Sequence, residues 1–503
     1  MSVFANVGER LNPILVKEVR QALRGRFFAW IFWLTLLLAA GVSFISLGKA
    51  NIENDTAIGL QLFSAVFVCL SIAIHGFVPF TAFQSIGSEW EENTIDLLLL
   101  SNLTPSQIVR GKILSSLIQT LLLYSAFVPF LALAFLFGGI DLLAAFVVLA
   151  MALLYSFVLI TVSVGLSTLA KTRLWRYLLA FVVAIALIAA TSAGSAFLTF
   201  MVRSGTSLRS SEMWQGLFLA IISGLVIAFM FCSAARARLS HAEENTATPF
   251  RIFSTVTTIV WVIVTERVYV WDRYDDDAII GMTAGACMFH YIISLFSTTE
   301  AARLTRRAAD RIPLKPRWMW LSIPFQPGSG RAVIHLILNL TILFVGVFFI
   351  IFIHGALATT KKPDPEPLIA MLTYTFILTA LPSLIFSRMC ESRRYRAVAR
   401  ILVFIILLGM IILPMMFGAL VGSRKLMEGE HFLNPFWVVS KLDGAGDHQL
   451  AALVLVSIAF FIFIANGPRM YAGIREVLQA GVARRGRMSI ITENAIENVP
   501  SQP

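Results

Sequence analysis

Twelve long apolar stretches divide the chain, and short polar segments separate them. They fall at residues 27–48, 57–83, 112–138, 142–169, 177–202, 213–235, 252–271, 278–299, 332–355, 367–387, 398–422 and 449–466. Most run to 20 residues or more, enough for a helix to cross a hydrocarbon core of roughly 30 Å. A bilayer interior offers no water to backbone N–H and C=O groups, so such stretches must be helices. The alternating ~10-residue segments of a membrane barrel do not occur. The pattern predicts an all-α polytopic transmembrane helical bundle of about 12 spans. The seventh stretch is the weakest, because Glu266-Arg267 interrupts it.

Charge tests this division. With the N-terminus placed inside, 30 of the 40 Lys and Arg residues fall on the cytoplasmic side, against 10 outside. Acidic residues divide almost evenly, 14 inside and 15 outside. The two faces then carry about +16 and −5, as the positive-inside rule requires, with both termini cytoplasmic. Removing the seventh span would put the basic loop 300–331 outside, so the charge count supports that span. The net charge of +11 thus reflects orientation rather than nucleic acid. The apolar fraction of 58% and charged fraction of 14% lie far from soluble averages.

The chain predicts three regions: 1–240 with six spans, 241–467 with six more, and 468–503 as a cytoplasmic C-terminal helix whose tail from 488 is polar and disordered. No extramembrane domain is apparent. Apolar sequence begins near Phe27 without a small-residue cleavage site, so the first span is expected to remain in the mature protein. Cys69, Cys232, Cys287 and Cys390 show no pairing pattern and predict no disulfide.

Three cytoplasmic pieces carry more than hydropathy. Residues 12–26 start with Asn12-Pro13, a cap and a first-turn proline. Leu15, Val16, Val19, Ala22, Leu23 and Phe27 then recur at helical spacing, with Lys17, Glu18, Arg20, Gln21 and Arg24 on the other side. This is an amphipathic helix on the membrane surface. Residues 88–100 begin with Ser88-Glu89-Trp90-Glu91, which reads as a capping box opening a short acidic helix that ends in four leucines. Its charge suits docking to a basic partner or a well-capped solvated helix equally. Thr104-Pro105-Ser106-Gln107 is a second capping box, from which a helix runs through Gly111-Lys112 into the third span.

Together these residues resemble the type 2 ATP-binding-cassette (ABC) exporter permeases. Glu89, Glu91, Thr94, the leucines 97–100, Pro105, Ser106, Gly111 and Lys112 match that family's cytoplasmic loop. Trp90 stands where Arg is usual and Asn93 where Gly is. The stretch from Asn12 to Glu18 is similar to the family's elbow helix. The resemblance covers roughly residues 10–235. It implies a membrane-spanning permease subunit moving a substrate outward across the cytoplasmic membrane of a prokaryote. It implies an ABC ATPase subunit in trans, docking on Glu89, Glu91, Glu92, Thr94, Thr104, Pro105, Gly111 and Lys112, with Lys17, Glu18, Arg20 and Arg24 on the elbow helix. ATP and Mg would then reside in that partner. A Walker A motif would need G-x-x-x-x-G-K-[ST]; Ser106 and Ile113 break it before and after Gly111-Lys112. One such loop per chain implies pairing of two permease chains, identical or not. A non-transporting membrane scaffold on the same fold is the alternative.

The remaining candidates have plainer readings. Loop 300–331, with Arg303, Arg306, Arg307, Arg311, Lys315 and Arg317 before Trp318 and Trp320, suits anionic lipid headgroups, an acidic partner, or ordinary interfacial anchoring. His75, His290, His335 and His354 lie in spans, where a helix-bonded histidine is commoner than a proton relay. Asp141 reads as a helix cap. Asp272 with Asp275, Asp276 and Asp277 reads as an outer turn in preference to a cation site. Pro79 and Pro129 are expected to kink the spans flanking the cytoplasmic loop. No catalytic, cofactor-binding or metal-ligating constellation is present in the pattern.

Overall fold

The computed structural model describes residues 13–48, 58–91, 103–168, 173–203, 211–240, 245–271, 276–301, 303–354, 365–386, 449–497 and a few positions between 389 and 403. The chain forms two compact units, Met1–Ser240 and His241–Pro503. Every regular element among the described residues is helical. Ten of these helices are long and apolar enough to cross a membrane, and a shorter apolar stretch, Ala278–Ser294, lies at the predicted eighth span. Most of the predicted eleventh span lies outside the described residues.

In the first unit, α1 (Pro13–Arg24) is followed after Gly25 by α2 (Arg26–Gly48). Next come α3 (Ile58–Ser71), a π-helical turn at Ile72–Phe77, and α4 (Val78–Glu91). The wide turn has a local cause. Pro79 has no N–H for the carbonyl of His75 and its ring crowds that carbonyl, and the backbone absorbs the mismatch one turn earlier. Helices α5 (Pro105–Leu136), α6 (Leu142–Ser167), α7 (Arg173–Arg203) and α8 (Ser211–Leu239) complete the unit. The stretch Ile58–Glu89 is 72% buried in its most apolar window, against 17–33% for the other spans of this unit. It is therefore the central rod. Leu62, Phe63, Val66, Phe67, Leu70 and Ile74 are fully enclosed along it. The outward faces are apolar too: Trp30, Phe44, Phe146 and Phe181 are each at least two-thirds exposed. Apolar surface facing both inward and outward is what a lipid solvent allows and water penalises.

Several expected local features form. Asp141 caps α6, accepting from the Leu143 N–H at 3.0 Å, after Gly138 and Gly139 with positive φ. His75 bonds the Ala152 carbonyl of α6 at 3.0 Å. The Thr104–Gln107 capping box is complete: Thr104 N–H donates to Gln107 Oε1 at 2.8 Å and Gln107 N–H to Thr104 Oγ1 at 3.3 Å. The first expected box is not formed. Helix α4 continues through Ser88 to Glu91, and the Ser88 hydroxyl donates back to the Ser85 carbonyl at 3.1 Å. An uninterrupted helix has no free N–H groups there for Ser88 to cap.

The second unit has α9 (Ala247–Trp271), α10 (Asp276–Ser297), the short α11 (Arg306–Ala309) and α12 (Pro316–Ser322) with a 3₁₀ turn at Ile323–Phe325. Then follow α13 (Ser329–His354), α14 (Pro365–Ile385) and α15 (Gln449–Glu497). The weak seventh span is a continuous helix, α9, in which Glu266 pairs with Arg267 at 3.1 Å and has His354 Nε2 3.3 Å away. The central rod is α14, 67% buried in its most apolar window.

Helix α15 joins the predicted span 449–466 and the predicted C-terminal helix into one element and corrects one expectation. Its 49 residues extend about 73 Å at 1.5 Å per residue, more than twice a hydrocarbon core. Gly467-Pro468 does not end it, and the tail expected to be disordered from 488 is helical to Glu497. Side chains stabilise the proline region: Asn466 Nδ2 donates to the Ile462 carbonyl at 2.9 Å, and Arg469 donates to the Ser383 carbonyl at 2.8 Å. Beyond it, Val477 packs with Ile312, Met319 and Ile323. Loop 300–331 is thus not a bare connector. It forms a small core of its own with the extension of α15.

Helices α13 and α15 meet backbone to backbone at Gly330, where an added Cβ would lie 2.4 Å from the Arg469 carbonyl oxygen. Gly330→Ala therefore forces two helices apart. A loss of about 1–3 kcal/mol is expected, seen as a lowered unfolding midpoint of the full chain in detergent. An unchanged midpoint would contradict this contact.

Candidate functional site

The residues that suggested an elbow and a loop converge at one end of the first unit. Helix α1 lies against the start of α5, with Ile14 buried in the core. Its polar side is split. Glu18 turns inward and accepts from Lys112 Nζ at 2.8 Å. Lys17 reaches across to Glu89 at 3.1 Å. Lys112 also lies 3.8 Å from Glu89 and donates to the Ser85 carbonyl at 2.9 Å. The Lys112 side chain is 1% exposed, and the Glu89 side chain 8%. Four charges alternate in sign, and each carboxylate has a cation, which is the condition for tolerating burial.

The clasp also grips the end of α4. Arg176 of α7 donates to the Gly87 carbonyl at 2.9 Å, so two cations hold carbonyls near the C-terminal end of α4. That is the favourable end for positive charge. The elbow, the helix entering the loop and the helix leaving it are thereby one connected body.

Other expected residues are placed as follows. Gly111 is buried in α5, Pro105 is its first residue and Thr104 its N-cap. Glu91 is the last residue of α4. Glu92 and Thr94 lie outside the described residues. Arg20 and Arg24 stay exposed on α1 and, with Val16, Lys17 and Gln21, line a shallow depression of about 430 Å³. Glu89 and Lys112 spend their charge on an internal bond, so neither is presented outward.

The second unit holds polar clusters that the sequence reading missed. Arg251 is fully buried. It donates to the carbonyls of Pro324, Gln326 and Gly328 and, at 2.8 Å, to Glu300. Arg331, also fully buried, bonds Glu476 at 2.8 Å and the Gly473 carbonyl at 3.1 Å. Glu476 accepts from the Leu304 N–H at 2.7 Å. The available signal was a single arginine at the entrance of the seventh and of the ninth apolar stretch. Deeper in, Thr258 bonds both His290 Nε2 and Asn339 Oδ1 at 2.9 Å, and Asn339 Nδ2 lies 3.0 Å from His335 Nε2. Two of the four candidate histidines are thus drawn into one hydrogen-bonded chain linking α9, α10 and α13.

Among the described residues, no group of three or more His, Cys, Asp or Glu side chains is arranged to hold a metal. Cys69, Cys232 and Cys287 are free thiols. Residues 272–275 of the acidic turn lie outside the described residues. No family model, curated protein or solved structure matches the chain.

Proposed function

We propose that this multi-pass membrane protein is the permease subunit of an ATP-driven exporter in a cytoplasmic membrane, moved by a separate ATPase that engages the segment between Glu91 and Thr104. The observation that carries this reading is the Lys17–Glu89 and Glu18–Lys112 clasp. A force applied to the loop enters α4 and α5 at its two ends, and the clasp couples both to α1. Helix α4 continues through the π turn into the central rod, so displacement at the loop is delivered to the most buried span. Both chain termini are cytoplasmic in this reading, and two permease chains pair around the pathway.

Isolation of the full chain from its own membranes, with and without chemical cross-linking, tests the proposal. An ABC-type ATPase is expected to co-purify, with cross-links mapping to residues 92–102. Reconstituted together, the permease is expected to stimulate hydrolysis. Glu91→Lys with Glu92→Lys reverses the loop's charge and is expected to sever the association. Absence of any ATPase partner would sink the permease reading. An associated ATPase that neither responds to the protein nor drives export would favour a scaffold on the same fold.

A further inference from the structure

Helix α12 leaves its largest apolar side chains uncovered. Met319 is its buried position, at 4% exposed. On a helical wheel of 100° per residue, Arg317 and Leu321 lie opposite Met319, and Trp318 and Trp320 flank them. Trp318 is 59% exposed, Trp320 56% and Leu321 61%. This exposure belongs to a firmly held segment. Met319 is anchored in the small core with Ile312, Ile323 and Val477. Arg484 donates to the Ile312 carbonyl, Glu476 holds the Leu304 N–H, and Arg251 ties Glu300 at the start of the loop to the carbonyls of Pro324, Gln326 and Gly328 near its end.

The charge around the indoles has one sign. Six cations between Arg303 and Arg317 are exposed. The stretch 303–322 contains a single acid, Asp310, already bonded to Arg487 at 3.0 Å. Ser329, the first residue of the long apolar α13, follows seven residues after Ser322. Helix α12 is therefore tied by a short connection to the end of a spanning helix, and the end of a span is where lipid headgroups lie. An indole is stable there, with its ring among glycerol and upper acyl groups and its N–H toward water. Guanidinium groups at that depth meet phosphates with matching geometry.

We infer that the α11–α12 segment is a membrane-binding face that seats Trp318, Trp320 and Leu321 in the headgroup layer and gathers anionic phospholipid around its cations. This inference needs only a membrane, and it stands apart from the exporter reading. A face built for an acidic protein would need its cations presented to water; here the route into α13 keeps them against the bilayer surface.

The test uses the full chain in nanodiscs of phosphatidylcholine, alone or mixed with phosphatidylglycerol. A variant with its native cysteines replaced by serine and Trp320→Cys carries a fluorescent label. Lipids brominated near the carbonyl end are expected to quench that label strongly, and aqueous iodide weakly. Native mass spectrometry of the wild-type chain released from mixed nanodiscs is expected to show phosphatidylglycerol enriched over the bulk composition. Each surface cation contributes about 1 kcal/mol of attraction to an anionic leaflet, about fivefold. Arg306→Gln with Arg311→Gln and Lys315→Gln changes exposed residues only. It is expected to lower the enrichment at least about fivefold at an unchanged unfolding midpoint. Iodide quenching without bromolipid quenching would overturn the proposal and point to a face for an acidic protein. Enrichment unaltered by the triple variant would overturn it as well.

Discussion

Lys112→Met is expected to release the elbow helix from the first unit. The Lys112 side chain is 1% exposed, and its ammonium serves Glu18, Glu89 and the Ser85 carbonyl together. Methionine fills similar volume, so the variant removes charge and donors without leaving a large void. It leaves two carboxylates near one another, Glu89 nearly buried, with Lys17 as the remaining nearby cation of the clasp. Breaking a buried pair from one side costs about 3–5 kcal/mol, because the abandoned charge loses its compensation. The chain can recover part of that by letting α1 swing away and Glu18 reach water. Limited trypsin digestion of the folded protein is the direct readout. Cleavage after Arg20 and Arg24 is expected to accelerate in Lys112→Met while cleavage elsewhere is unchanged. Adding Glu18→Gln and Glu89→Gln is expected to restore much of the protection, since neutral amides do not require the cation. Equal cleavage rates in wild type and Lys112→Met would show that the clasp does not hold the elbow.

The outline of this fold was legible because a lipid solvent writes simply. Long apolar runs had to be helices, and ten have helices of spanning length at the expected places. Local signals confined to one element were also legible. Thr104-Pro105-Ser106-Gln107 and Asp141 specify their caps through side chains two or three residues from the groups they bond. Ser88 failed for a related reason. A capping box is a signal only where a helix begins, and the apolar pattern did not show that α4 runs on past the membrane stretch.

Pairing between elements was less legible. Lys17 and Glu18 were grouped with Arg20 and Arg24 on one polar side of α1. Helical spacing could not tell that Glu18 faces Lys112, 94 residues away, while Arg20 remains outside. The basic, proline-rich loop 300–331 was read only for its surface role, toward lipid headgroups, an acidic partner or interfacial anchoring, because nothing in the order of its residues shows that Ile312, Met319 and Ile323 turn to one side. They form a core with Val477, on the part of α15 beyond the predicted span 449–466. Composition reveals a span; it does not reveal which two distant residues share a charge.

Arg251→Lys is expected to disorganise the turn at 323–328 although the charge is kept. The guanidinium spreads its donors over three carbonyls and a carboxylate in different directions, and an ammonium on a shorter reach cannot satisfy all four. The turn depends on those bonds, because Gly328 sits at φ 132°, a conformation open to glycine, with its carbonyl turned to Arg251 and its N–H to Glu300 at 2.9 Å. A carbonyl stripped of its partner in a buried place costs about 1–3 kcal/mol. Losing two is expected to lower the stability of the second unit by about 2–6 kcal/mol. Hydrogen exchange at Gly328 is the informative measurement, since its N–H is protected only while Glu300 is held in place by Arg251. Faster exchange there in Arg251→Lys, with exchange along α14 unchanged, would locate the damage in the turn. Exchange at Gly328 indistinguishable from wild type would mean that a point charge suffices and that the forked geometry of arginine contributes nothing here.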